Sequence, residues 1–378
     1  MRIAIDATSV PPKPAGAGVY AIELVRAMAE RDRHDGYALF VRGGWLDDDV
    51  AGKRNWRVEH VGASSRPARL AWEQMRLPRA LAALGIDVLH STHHTLPLVG
   101  VPCRRVVTIH DVTFFRIPER YPPARRLYMQ TLTRLSARVA NAIIAPSNAA
   151  RDDIVRTLGV PATKVVTVYE AAADRFVPVP SETANAVARA HGIEGPFVLS
   201  VGSREPGKNR ARLIRAMAML RDAGSKHQLV IVGQKAWKFY EELAHVEELG
   251  MGDRVRYLGY VTDADLPALY SAADAYAFPS LHEGFGLPVI EAMACGVPLL
   301  TSNISATAEV AGDAAVLVDP LSVDAIRDGL RRLIEDADLR GDLSTRGCAR
   351  AAEFSWRRAA DETHSVYTRV IAGQLASP

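Results

Sequence analysis

Residues 275–303 read AYAFPSLHEGFGLPVIEAMACGVPLLTSN: an apolar run, a loop punctuated by Gly and Pro, a helical stretch and a second apolar run. Both runs have the length and composition of strands buried on two faces of a parallel sheet. Pro288 suits the first helical position and Gly296 the left-handed residue just past the end, so a helix is expected over roughly 287–295. Strand, loop, helix, strand is the unit of a doubly wound α/β sheet. The helix would turn its N-terminus toward the loop, where unpaired amides and the positive end of the macrodipole attract phosphate. Gly284, Phe285, Gly286 and Leu287 lead into that end, and the two glycines let the backbone approach a ligand closely. Glu283 lies in the loop and Glu291 about one turn inside the helix. Like charges repel, so neither carboxylate suits the phosphate itself; both suit sugar hydroxyls. The plainer alternative is a turn residue and a solvated helix residue.

The same rhythm extends in both directions. Strand-like runs fall at 2–7, 37–41, 88–91, 105–109, 142–145 and 165–168, with helical patterns at 20–30, 69–84, 124–139 and 147–158 between most of them. FVPVPSETA, around Pro178 and Pro180, breaks the alternation and reads as a linker. Strand-like runs then resume at 197–201, 228–232, 255–258, 275–278, 297–301 and 315–318, with helices expected at 209–223 and 262–272. The expected architecture is two Rossmann-like, doubly wound parallel-sheet domains facing across a cleft.

Composition agrees with a soluble globular protein. The 378 residues are 48% hydrophobic and 24% charged, which leaves room for a sizeable core and excludes a disordered or collagenous chain. A net charge of +3 is too small to indicate nucleic-acid binding. Cys103, Cys295 and Cys348 form no C-x-x-C pair, so neither a disulfide framework nor a zinc site is suggested, and a reducing cytoplasm fits. No run of about 18 apolar residues occurs, and the N-terminus has no basic leader, so neither a membrane span nor a signal peptide is expected.

Further polar groups fall at strand ends. In FVLSVGSREPGKNRARLI, Arg204 and Lys208 follow a strand and precede a helix, as a diphosphate site requires; two solvated loop cations are the alternative. In PAGAGVYAIEL, Gly16 and Gly18 match a dinucleotide pattern, but Thr8 to Ala15 separate them from the strand, so a flexible phosphate-approaching loop is the more modest reading. His110 and Asp111 close VVTIHD, where a strand of such a sheet points at a ligand, and His110 is a candidate hydrogen-bond donor to a sugar. His90, His93 and His94 invite a metal reading that no local second ligand supports. Asp263-Ala-Asp265 could be mistaken for a metal-holding D-x-D pair, but it sits at a helix start and is explained by Thr262 or Asp263 capping free amides there. Arg66, Arg69, Arg76 and Arg79 on one helix, and Arg125, Arg126, Arg134 and Arg138 on another, have Trp72, Met75 and Tyr128 nearby; such faces suit an anionic membrane surface, or are simply solvated.

The stretch HEGFGLPVIEAMACGVPLLTSN resembles the E-x7-E signature of retaining, nucleotide-sugar-dependent glycosyltransferases of family four, which have the two-Rossmann GT-B architecture. AGAGVY, VVTIHD, IIAPSNAARDDI, VGSREPGKN, LGYVTDADL and AAVLVDP occur in that family's order, so the resemblance covers nearly the whole chain. It implies an acceptor-side domain over 1–177, a donor domain over 178–355, and a final helix over 356–378 that crosses back onto the first. By position, Glu283 would sit at the donor hexose, Glu291 at the ribose, Arg204 and Lys208 at the diphosphate, His110 at the transferred sugar, and the Tyr260 and Val261 backbone beside the base. Ser203 and Gly207 stand where the commonest forms carry arginine. The implied reaction is metal-independent hexose transfer with retention, without a cofactor. GDP-mannose is the first expectation for the donor and UDP-glucose the second, with a glycan, glycolipid or small-molecule hydroxyl as acceptor. The implied location is the cytoplasm, including peripheral contact with the inner membrane face. A nucleotide-sugar epimerase or hydrolase of the same fold, and a catalytically silent nucleotide-sugar-binding partner, are the competing readings.

Overall fold

The computed structural model describes residues 1–12, 14–31, 34–44, 46–118, 121–234 and 239–375. The chain divides into two compact units, Met1–Glu170 with Ser355–Pro378, and Ala171–Phe354. The division precedes the boundary read at Pro178. FVPVPSETA is built into the second unit: Val179 N–H donates to Ser271 Oγ at 3.0 Å, and Pro180 caps the helix Ser181–Ala190, where a missing N–H costs nothing.

Seven strands form the sheet of the first unit: β1 (Arg2–Asp6), β2 (Gly36–Val41), β3 (Trp56–His60), β4 (Val88–Ser91), β5 (Arg104–Thr108), β6 (Ala142–Ala145) and β7 (Val165–Thr167). Their order is β3-β2-β1-β4-β5-β6-β7 and every pairing is parallel. Helices cover both faces, which is why β4 and β6 are apolar or fully buried along their whole length. The edge strand β3 was not legible in the sequence because WRVEH has no continuous apolar run. Its place is held by Trp56, whose ring stacks on Tyr37 at 4.3 Å. The single helix expected over 69–84 is two, Arg66–Met75 and Leu77–Leu84. Pro78 has no amide for the preceding turn, so the helix restarts there. Ser147 caps Asn148–Leu158 by accepting the Ala150 amide at 3.0 Å. Helix Trp356–Ile371 packs on Ala17–Glu30, with the Trp356 and Tyr20 rings 6.0 Å apart.

The second unit has six parallel strands: β8 (Phe197–Val201), β9 (Gln228–Val232), β10 (Val255–Gly259), β11 (Ala275–Phe278), β12 (Leu299–Ser302) and β13 (Val316–Val318), in the order β10-β9-β8-β11-β12-β13. The chain winds outward from β8 in one direction and from β11 in the other, so the order reverses between these two neighbours. Loops leaving their carboxyl ends therefore diverge to opposite faces and leave a crevice, the place where open α/β sheets bind ligands.

Arg69 does not lie on the solvated basic face read from the sequence. It is 6% exposed, and its Nη1 lies 2.7 Å from both Glu73 Oε2 and His93 Nε2. Thr95 Oγ1 donates to Glu73 at 2.7 Å. Asp6, Glu73 and His93 bring possible ligand atoms within 4.8 Å of one another, but the Arg69 guanidinium already supplies these groups with a cation. His90 is buried and His94 half-buried, and each has its pKa pushed down to about 3, first by loss of water around the ring and then by neighbouring positive charge. Burial alone would raise the Glu73 pKa; hydrogen bonds and charge from His93, Arg69 and Thr95 outweigh it and hold the carboxyl below the usual range.

Glu73→Gln leaves a buried guanidinium without its counter-charge and should destabilise the fold by about 3–5 kcal/mol at pH 7. A depressed folded pKa makes this contribution complete above the unfolded value of about 4.3 and progressively lost below it. Urea denaturation should accordingly show the gap between wild type and variant narrowing from pH 7 to pH 3.

Candidate functional site

The loops after β8 and β11 are sewn together by groups that the strand order makes neighbours. Leu281 N–H donates to Gly207 O at 2.9 Å, and the Asn209 amide donates to Pro279 O at 2.9 Å and to Pro320 O at 2.6 Å. Asn209 reaches both carbonyls from a left-handed backbone, φ 59°. These bonds set Lys208 opposite Glu283: Lys208 Nζ donates to Glu283 Oε1 at 2.6 Å, and the Ser280 hydroxyl lies 2.5 Å from the same oxygen. Both side chains are only about one-sixth exposed (15% and 16%), so the pair is screened far less than a surface bridge. Phe278 lies under the ammonium, 5.1 Å from its ring centroid.

Ser305 fixes the Glu283 backbone. Its hydroxyl accepts the Glu283 amide at 2.9 Å and donates to the Glu283 carbonyl at 2.6 Å. Ser305 does this at φ 65°, a conformation that costs a residue with Cβ about 1–2 kcal/mol. Gly286 caps the helix Leu287–Ala294 at φ 96°, and a Cβ there would stand 3.1 Å from Thr307 Cγ2. Within the first turn Pro288 has no N–H and the Val289 N–H goes to Gly286 O at 2.8 Å. The anion-facing amides are therefore fewer than the motif suggests. Gly284 is buried, and Phe285 is a core side chain whose ring meets Phe354 edge-on at 6.0 Å. A ligand at this turn would meet backbone rather than the Phe285 ring.

Glu291 sits on the same helix and accepts the Tyr270 hydroxyl at 3.1 Å. Tyr270 is fully buried against Tyr276, and burial together with the Tyr276 and Glu291 charges raises its pKa, so its proton stays in place as a donor. Arg204 stands apart from Lys208. It is 4% exposed, its Nε donates to Glu242 at 3.1 Å and its guanidinium stacks over Tyr257 at 3.9 Å. Such a partnered, buried arginine serves the core of this unit. Arg210, also buried, holds the turn after β8 by donating to Gly202 O at 2.6 Å and Ser203 O at 3.2 Å. Beyond β10, Tyr260 is 55% exposed and Val261 is buried. Asp263 and Asp265 do not cap; they pair with Arg175 and His191, while Thr262 Oγ1 accepts the Asp265 amide at 3.2 Å.

The remaining predicted residues belong to the first unit. Gly16 caps the helix Ala17–Glu30 at φ 50°, which accounts for glycine there. Gly18 lies inside that helix, and a Cβ would meet Pro11 Cδ at 3.3 Å and Pro14 Cβ at 3.4 Å, so its small size serves packing. His110, just past β5, is partly exposed. Its Nδ1 lies 3.2 Å from Glu170 Oε1, its Nε2 lies 3.1 Å from Thr92 O, and its ring meets Tyr20 edge-on at 4.7 Å. Ser280, Ser305, Asn209, Tyr270 and Glu170 were not singled out from the sequence. Only the Ser and Asn of PGKN and FPSLHEG had a signal, as turn formers in loops already suspected.

A cation poised on a carboxylate at a sheet's switch point, beside a helix N-terminus and a second carboxylate, can exchange its partner for a phosphate oxygen and leave the acids to hydroxyls. Comparison with known proteins gives the family. The family described as "Glycosyltransferase Family 4" matches residues 14–174, and "Glycosyl transferases group 1" matches residues 185–350. The chain is 32% identical over 380 residues to O-antigen chain mannosyltransferase B of Escherichia coli, covering 97% of this chain and 99% of that protein. Sucrose-phosphate synthase of Thermosynechococcus elongatus superposes with a TM-score of 0.79 at 21% identity, over 98% of this chain and 99% of that one. Anabaena HepE, solved with UDP and glucose, superposes with a TM-score of 0.79 at 21% identity, over 97% and 99%. Two parallel-sheet units, the loop motifs in order and full-length similarity to a mannosyltransferase agree: the chain belongs to the GT-B glycosyltransferases of the family-four type.

Proposed function

We propose that this glycosyltransferase moves a hexose, with retention of configuration and without a metal or cofactor, from a nucleoside-diphosphate sugar to a hydroxyl of a glycan, glycolipid or small molecule. GDP-mannose is the first donor and UDP-glucose the second. The mannosyltransferase relative supports the sugar, and the UDP and glucose bound to HepE support the donor class. The observation that carries the reading is the 2.6 Å contact of Lys208 with Glu283 across the two switch-point loops.

In this reading the diphosphate displaces Glu283 from Lys208, because two phosphate charges outcompete one carboxylate. Freed Glu283 turns to the hexose hydroxyls, and Glu291, oriented by Tyr270, accepts from the ribose. As the glycosidic bond breaks, negative charge grows on the leaving oxygen and Lys208 stabilises it, while the sugar becomes oxocarbenium-like and the acceptor attacks from the face the diphosphate leaves, its hydroxyl proton passing to the departing phosphate oxygen. Arg204 has no direct part, since reaching a ligand would break its buried contacts with Glu242 and Tyr257. Gly16 and Gly18 shape their loop, the Tyr260 and Val261 backbone flanks the base, and His110 serves the transferred sugar. Exposed Met75 and Leu127, on the arginine-bearing helices Arg66–Met75 and Pro123–Val139, form a face for an anionic membrane surface, where a glycolipid acceptor resides.

A donor present at 100 times its Kd should stabilise the protein by about 2.7 kcal/mol, so a thermal-shift panel of nucleotide sugars identifies it. Incubation with that donor and an acceptor library should release nucleoside diphosphate and give an α-linked product from an α-linked donor by NMR. Sugar interconversion without acceptor would replace the proposal by an epimerase, and binding without turnover by a silent partner. Lys208→Ala should lower kcat about 100- to 1,000-fold. Glu291→Ala should instead raise the donor KM about tenfold or more with a smaller change in kcat. Flotation with vesicles should show more protein on those containing anionic lipid than on neutral ones, and the difference should fall when Arg66 and Arg76 are replaced by Glu.

A further inference from the structure

We propose that Glu170 is a positioning residue that holds His110 as a doubly protonated imidazolium, so that this histidine meets its ligand only as a hydrogen-bond donor. The inference rests on the reading of His110 as a residue serving the transferred sugar. Both ring nitrogens face acceptors. Thr92 O, 3.1 Å from Nε2, is a carbonyl and can only accept, so Nε2 carries a proton. Glu170 Oε1, 3.2 Å from Nδ1, belongs to a carboxylate that is 5% exposed. An ionised Glu170 also only accepts, and then Nδ1 carries the second proton.

The surroundings favour this charge distribution. The groups around His110 come from four elements: Glu170 beyond β7, Asp111 on its own strand end, Thr92 and His90 from β4 and the residue after it, and Tyr20 from the helix Ala17–Glu30. Glu170 and Asp111 are the acids in this set. His90 adds no competing charge, because burial keeps it neutral while its Nδ1 meets Tyr367 Oη at 2.6 Å and its Nε2 meets Thr108 Oγ1 at 2.8 Å. Tyr20 presents its ring to His110 and aims its hydroxyl at Thr108 Oγ1, 2.9 Å away. Burial by itself would lower the His110 pKa, but the Glu170 hydrogen bond and charge, the Thr92 carbonyl and Asp111 more than offset it, and the net direction is upward.

Two consequences separate this arrangement from a merely structural histidine. Nδ1 is committed to Glu170, so Nε2–H is the donor that can pass from Thr92 O to a ligand oxygen. The imidazolium also sets a positive charge next to a sugar whose leaving group is becoming an anion. Glu170 need not touch any substrate to bring this about.

The test begins on the wild-type protein without ligand, by ring 15N shifts of assigned His110. Both nitrogens should read as protonated at pH 7, with titration above the ordinary histidine value of about 6.5. A bare Nδ1 at pH 7 would overturn the proposal. In Glu170→Gln, checked for folding by near-UV circular dichroism, the His110 pKa should fall by at least about one unit, and Glu170→Asp should recover part of it. An unchanged pKa in the Gln variant overturns the proposal as well. In kinetics, the limb of kcat that falls with rising pH should move to lower pH in Glu170→Gln and partly return in Glu170→Asp. A uniform loss with no movement of the limb assigns Glu170 a packing role and overturns positioning. If His110→Ala keeps full activity while wild-type His110 is an imidazolium, the sugar-serving reading fails and the charge assignment stands. The two failures are therefore distinguishable.

Discussion

The adjacency of β8 and β11, two strands far apart in sequence, is the constraint on which the second unit turns. Because the winding direction reverses between them, their following loops run away from one another over opposite faces, yet begin side by side. That common origin places an ammonium from one loop on a carboxylate of the other. The ends of β8 and β9 are drawn equally close: a Cβ at Gly233 would fall 1.8 Å from Gly202 O, and Gly233 adopts φ 146°, so only glycine can end β9 in this way. The turn that carries Lys208 is thus anchored on three sides, by Arg210 beneath it, by the backbone after β9, and by Asn209 across to Pro279 and Pro320.

The four charged clusters described above, two in each unit, fall into two kinds. Arg204 with Glu242 and Tyr257, and Arg69 with Glu73, His93 and Thr95, are sealed pairs whose members have enough partners to offset the loss of water. Lys208 with Glu283, and His110 with Glu170, are only partly sealed: both members of the first pair and His110 of the second reach solvent, while neighbours hold the Glu283 backbone and Glu170 stays buried. The first kind holds elements together. The second stores a charge in a defined direction, which a fully solvated side chain cannot do because water and rotamer freedom disperse it.

The central strands and the helix after Gly286 were legible because their residues obey one rule at a time: continuous apolar runs for strands buried on both faces, Pro at the start and Gly at the end for Leu287–Ala294. β3 was not legible, since an edge strand exposes alternate residues and WRVEH satisfies no apolar pattern. The two-proline segment misled because Pro180 punctuates a helix start rather than a connection between units. Lys208, Glu283 and Glu291 in the second unit, and His110 in the first, were singled out as candidates from their place at strand and helix ends. Partners were harder. Glu170 and Tyr270 lie 60 and 21 residues from the groups they serve, and no local spacing reports a contact made by sheet topology. Arg204 shows the converse: a cation at the expected loop whose direction is set by a long-range partner, Glu242.

The helix Trp356–Ile371, with the residues flanking it, belongs with a unit whose other residues all precede Ala171. During synthesis on the ribosome, the whole of the intervening unit emerges before that helix does. The uninterrupted segment can complete its own sheet meanwhile, whereas the earlier residues must wait with the face of Ala17–Glu30 uncovered and the buried His90 lacking the Tyr367 hydroxyl. Nascent chains of this protein should accordingly mature out of order, the middle before the beginning, with the N-terminal half in need of protection from aggregation until the helix Trp356–Ile371 emerges to supply its cover.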